Sequence, residues 1–166
     1  MTVFKSNRVA HEFTQTNPGS PERVFPLLCP VREADWIPGW QHRLIYSDSG
    51  IAELGCVFTT PNPPASGSAV PETTWIVTEY DPAAFRIAFV WINPGMVITE
   101  IRIRLVSVGN GTTRSNIRYR YTSLSPDGNR ELTAYDQKWF EAKMKNWERM
   151  INHYLQTGER VADAKG

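Results

Sequence analysis

Histidine is the side chain best suited to moving a proton near neutral pH, and the chain carries three, His11, His42 and His153. His11 alternates with Val9 and Phe13 and shares their side of an extended segment; His42 and His153 fall at the ends of predicted elements, where water is the expected neighbour. An imidazole on an apolar face is either a satisfied core group or a proton-transfer and hydrogen-bonding group for a carbonyl or hydroxyl ligand. Nucleophilic catalysis has little support, because no GxSxG occurs and neither Cys29 nor Cys56 has a histidine near it in sequence. Glu33 and Asp35 lie two apart in a predicted short helix, hence on different sides, which argues against a cooperating carboxylate pair. Gly109-Asn110-Gly111 precedes a strand pattern rather than a helix, and no P-loop or dinucleotide fingerprint is present. With no CxxC and no histidine at ligand spacing, the sequence predicts no metal site and no cofactor.

Such residues act only if a scaffold brings them together. A chain of 166 residues suffices for one domain with a real core, taken as 1–166 with its core at about 8–156 and a frayed tail at 159–166. Hydrophobic residues at 41% and charged residues at 21% describe an ordinary globular chain, and no run approaches the roughly 20 apolar residues of a membrane span. A net charge of +1 creates no overall field for nucleic acid or an anionic membrane, so partners must be recognised locally. Two scattered cysteines and an N-terminus without an apolar signal region predict a cytoplasmic protein.

Period-two alternation predicts a strand over 8–16, ended by Asn17-Pro18-Gly19. Ser20 before Pro21 starts a short helix that Pro26 should shorten or kink and Pro30 should end; a second short helix runs from Pro30 to about Trp36, where Ile37-Pro38-Gly39 breaks it. Six strands separated by turn signals follow, over 43–46, 55–60, 73–80, 86–92, 96–108 and 114–124, an antiparallel meander. Residues 61–71 are rich in Pro, Gly and Ser and far longer than a hairpin needs, which predicts a flap. A long helix is predicted over 130–156, closed by Gly158, with Leu132, Tyr135, Trp139, Phe140, Met144, Trp147, Ile151 and Tyr154 in one apolar stripe.

This order, with the SPERVFPLL start of the first helix, the CPVREADWIPGW segment at 29–40 and the C-terminal stripe, resembles the START-like superfamily, also called SRPBCC, over about residues 8–156. The resemblance implies an α+β helix-grip fold: a seven-stranded curved antiparallel sheet, two short helices after the first strand, and a long C-terminal helix packed on the concave face. It implies a mostly apolar cavity between sheet and helix, but no particular reaction, since the superfamily spans carriers, receptors and cyclases.

Carried onto this chain, the fold pairs the first strand with the seventh and brings His11 near Tyr119 and Tyr121. His11 and Tyr119 become the candidate catalytic residues. The candidate ligand-binding set is His11, Phe13, Trp40, Trp75, Phe89, Trp91, Thr99, Ile101, Tyr119, Tyr121, Trp139, Phe140, Lys143 and Trp147. Trp36 is expected as a plug between short helices and sheet, and Trp40 as a rim residue. Glu100, Arg102, Arg104, Arg118 and Arg120 are expected on a solvated convex face. The expected partner is a small hydrophobic or aromatic molecule, with no nucleic acid and no membrane insertion; a homodimer stays open. A cyclase or dehydratase using the same cavity, and an interaction module with the cavity closed, are the alternatives.

Overall fold

The structure is a computed structural model describing residues 4–62 and 71–162. Seven strands form one antiparallel sheet in the order β1-β7-β6-β5-β4-β3-β2. They are β1 (Arg8–Asn17), β2 (Arg43–Tyr46), β3 (Val57–Pro61), β4 (Glu72–Asp81), β5 (Arg86–Asn93), β6 (Val97–Gly109) and β7 (Thr112–Ser123). Alternation decides which side of each strand is buried. On β6, Val97, Thr99, Ile101, Ile103 and Leu105 are buried while Arg102 and Arg104 between them are exposed. The β6–β7 hairpin closes through Asn110 and Gly111, at φ 53° and 65°, the left-handed pair that a two-residue turn of matching twist requires. Register irregularities between Val77 and Glu79, and between Leu44 and Tyr46, mark where the sheet bends.

The convex face is solvated, as its charge ladder predicted. Arg120 grips Glu100 through two nitrogens at 2.5 Å, Arg86 reaches Glu79 and Asp81 at 3.3 and 2.9 Å, and Glu12 stands 3.7 Å from Arg118. Exposed pairs of this kind contribute little to stability.

Proline sets the short helices. α1 (Pro21–Val24) begins on Ser20 with proline at its first turn, tightens at Pro26 into a 3-10 turn (Phe25–Leu28), and gives way to α2 (Pro30–Glu33). Val24, Phe25, Leu27 and Leu28 point into the core. Trp36 is fully buried, donates Nε1–H to the Leu27 carbonyl at 2.9 Å, and meets the Trp147 ring edge-on at 5.2 Å. It joins the short helices to the C-terminal helix.

The C-terminal helix differs from the sequence expectation. In place of one helix from 130 there are two, α3 (Pro126–Leu132) and α4 (Gln137–Thr157). Ser125 caps the first, accepting from the Gly128 amide at 3.0 Å; Asp136 caps the second, accepting from the Trp139 amide at 2.7 Å. Between them the Thr133 hydroxyl bonds the Arg130 carbonyl at 2.6 Å, one of the local side-chain bonds that compete with a continuous helix. The apolar stripe therefore has two parts, Leu132 and Tyr135 belonging to the α3 turn. α4 is about 30 Å long at 1.5 Å per residue and ends where Gly158, at φ 73°, returns its amide to the Tyr154 carbonyl. Among the described residues no helix is long and apolar enough to cross a membrane.

Candidate functional site

Between the sheet, α2 and α4 lies a cavity of about 670 Å³, a volume in the range of small-molecule sites. One wall follows from strand register. Phe58 faces Trp75 across β3 and β4, and Trp75 faces Trp91 across β4 and β5. The three rings stack, Phe58 on Trp75 at 5.4 Å and Trp75 on Trp91 at 4.9 Å, with Phe89 edge-on to Phe58 and Trp75. Adjacent strands are closer together than long rings can avoid touching, so inward aromatic residues at paired positions become a ladder. Trp75 Nε1 donates to Thr60 at 2.9 Å, which fixes its indole.

More of the lining comes from the segment after α2. Ile37, Pro38, Gly39, Trp40 and Gln41 line the cavity, and Trp40 is pinned by donating Nε1–H to the Pro30 carbonyl at 2.8 Å. Gly39 takes φ 70°, the left-handed turn that redirects the chain between the two tryptophans. Pro61 and Asn62 line the same cavity; residues 63–70 of the expected flap at 61–71 lie outside the described residues.

Two ionisable groups share this apolar space. Glu33 projects from the end of α2, and Lys143 from the middle of α4. Both side chains are half-buried and line the cavity. Burial pushes the Glu33 carboxyl up to about 8 and pulls the Lys143 ammonium down to about 8. Tyr119 rises above the ordinary phenol range through burial and, secondarily, the charge of Glu33. Asp35, in the turn just after α2, points outward to Arg32 at 2.6 Å, so Glu33 and Asp35 do face different ways.

Of the residues named from sequence, Trp40, Trp75, Phe89, Trp91, Ile101, Tyr119, Lys143 and Trp147 line the large cavity. Thr99, Tyr121 and Trp139 instead surround an annex of about 60 Å³, which Trp91 and Lys143 also border. Phe140 is wholly buried in the core, and Phe13 packs against that core. His11 sits over the α3–α4 junction, bonded through Nε2 to the Tyr135 carbonyl at 2.6 Å and through Nδ1 to Gln137 Oε1 at 2.9 Å, and stacked on Phe140 at 5.1 Å. Its pairing opposite Tyr119 is as expected, yet it borders neither cavity nor annex; the Tyr135 carbonyl before α4 and the Gln137 side chain at its start claim both ring nitrogens. Glu33, Phe58, Asn146 and Met150 are lining residues that sequence reasoning missed.

No protein-family model matches the chain, and no curated protein matches it in sequence. Solved structures match it in shape. Norcoclaurine synthase from Thalictrum flavum, in complex with dopamine and hydroxybenzaldehyde, superposes at a TM-score of 0.61 with 16% identity, over 97% of this chain and 90% of the other. The Zhui aromatase/cyclase from Streptomyces sp. R1128 gives 0.61 at 16% identity, over 95% and 100%. Ara h 8.0201 gives 0.63 at 15%, over 91% and 99%. The chain has the helix-grip fold. In this helix-grip chain the grip is formed by α4 against the concave sheet, and the element order expected from the sequence is present from β1 to the end of α4.

Proposed function

We propose that this chain binds a small apolar or aromatic molecule in the cavity between the sheet and α4. The observation that carries the reading is the Phe58–Trp75–Trp91 ladder lining a hollow of about 670 Å³. A guest burying about 300 Å² of apolar surface there gains on the order of 7 kcal/mol before association costs, enough for micromolar affinity with modest polar help. Tyr119, Thr60 and Thr73 offer that help from the walls. Structures of similar shape are named for an aromatase/cyclase and for a synthase held with two aromatic compounds, which supports an aromatic guest. The reading takes the chain as one domain acting in the cytoplasm without a cofactor. The open cavity argues against the interaction-module alternative, which supposes it closed.

A second reading is favoured by one observation: Glu33, Tyr119 and Lys143 meet in the same apolar space. A carboxyl and an amine that both titrate near 8 can act as acid and base on a folded carbonyl substrate, in a cyclase- or dehydratase-type reaction. Denaturing extraction of the purified protein followed by mass spectrometry tests the binding reading. A stoichiometric apolar or aromatic compound supports it; protein that carries none and shows no tryptophan quenching across a panel of aromatic probes contradicts it.

A further inference from the structure

A neutral apolar guest leaves the position of Lys143 unexplained. It stands four residues from Trp139 and four from Trp147, on the side of α4 that faces the sheet. Its Nζ lies 4.9 Å from the Tyr119 ring centre, 5.4 Å from that of Trp139 and 5.7 Å from that of Trp91. Among the described residues no carboxylate comes within 4.0 Å of it and no hydrogen bond reaches it. The acids that face it are Glu33, from α2 in the same cavity, and Glu131, from α3 across the annex, which accepts the Tyr135 hydroxyl. Ring faces return only part of what an ammonium loses on leaving water, so a site that keeps one here is built to pair it with something that enters.

We infer that the ligand is an aromatic molecule bearing an anionic oxygen group, a carboxylate or an acidic phenolate, and that Lys143 is its counter-ion. The inference rests on the binding reading above and adds the charge class of the guest. The aromatic ladder gives the pose: it runs from Phe58 through Trp75 to Trp91 and ends beside Nζ, so a flat body on the ladder carries its head group to the ammonium. The annex beyond is too small for a ring. The cavity's charge at neutral pH has the right sign. Lys143, pulled down only to about 8, is mostly protonated there, while Glu33, pushed up to about 8, is mostly neutral and donates a hydrogen bond instead of repelling an anion.

Anthracene-2-carboxylate and anthracene-2-carboxamide are matched in size and differ in charge. Fluorescence titration of the wild-type protein at pH 7 should show the carboxylate bound at least tenfold more tightly. In Lys143→Met, with its fold checked by circular dichroism, the preference should fall below threefold. In the wild type it should fall likewise between pH 7 and pH 10, as the ammonium loses its proton and Glu33 becomes a repelling carboxylate, so the substitution is the arm specific to Lys143. Equal binding of the two probes by the wild type, or a preference that survives both the substitution and the higher pH, overturns the assignment while leaving the cavity reading intact. If neither probe binds, the cavity reading falls and this inference with it.

Discussion

The indoles of Trp75 and Trp91 lie parallel, their ring centres 4.9 Å apart and their planes 12° off, on neighbouring strands in direct register. Such a pair is worth about 0.5–1.5 kcal/mol beyond the area it buries, and its open flank forms cavity wall. Trp75→Leu removes the middle of the ladder. We expect the affinity for a neutral aromatic probe to fall roughly tenfold, about 1.4 kcal/mol, in a fluorescence titration. Undiminished affinity would show that the ladder is packing and not a binding wall.

Glu33 makes stability depend on pH in a stated direction. Its carboxyl titrates near 8 in the folded protein and near 4.3 when unfolded, so between those values the folded state holds the extra proton. Its contribution is complete below about pH 4 and is lost as pH rises through 8. Lys143 acts above that window: its folded value, about 8, lies below its unfolded one, so the cost of burying its charge is relieved as pH rises from 8 through 10.5. Urea unfolding at pH 5, 7 and 9 should show Glu33→Gln declining less than wild type across the series and being the more stable of the two at pH 9. Parallel curves would contradict the burial of this carboxyl.

Gly128 lies in α3 where a Cβ atom would stand 2.0 Å from the Met96 carbonyl oxygen, a backbone atom that cannot swing aside. Gly128→Ala should therefore destabilise the fold, despite alanine's better helix propensity, by about 2 kcal/mol or more. Thermal unfolding checks this; an unchanged or raised midpoint would mean that α3 shifts freely against the β5–β6 turn.

His11 holds the junction between α3 and α4 through two hydrogen bonds and a stack on Phe140. His11→Ala should lose about 1–3 kcal/mol of stability and leave probe affinity where it was. Affinity that fell with stability preserved would return the imidazole to the binding site.

The sheet was legible because inward and outward residues on β6 and β7 differ in polarity along their whole length: Ile101 and Ile103 against Arg102 and Arg104 leave one reading of the face. The end of α4 was equally plain at Gly158. The break before α4 was hidden because Leu132, Tyr135 and Trp139 keep a helical spacing across it; only Asp136, a good cap, marks it. Lys143 was readable, standing at four-residue steps within the apolar stripe. Glu33 is hidden by its two-residue spacing from Asp35, although its three-residue step to the buried Trp36 is the signal that it faces inward. For His11, strand alternation gave the pairing opposite Tyr119, but it reports the side of the sheet and not which neighbour arrives to satisfy the ring.

The site proposed for an aromatic guest is the hollow between the sheet and α4. Titration with N-phenyl-1-naphthylamine, an uncharged probe that brightens on leaving water, addresses it directly. Saturable one-to-one binding at micromolar concentration is expected, with tryptophan emission quenched in step and the thermal midpoint raised. A signal that grows linearly without saturation, or saturates with no change in tryptophan emission, would place the probe elsewhere and rule out the hollow as its site.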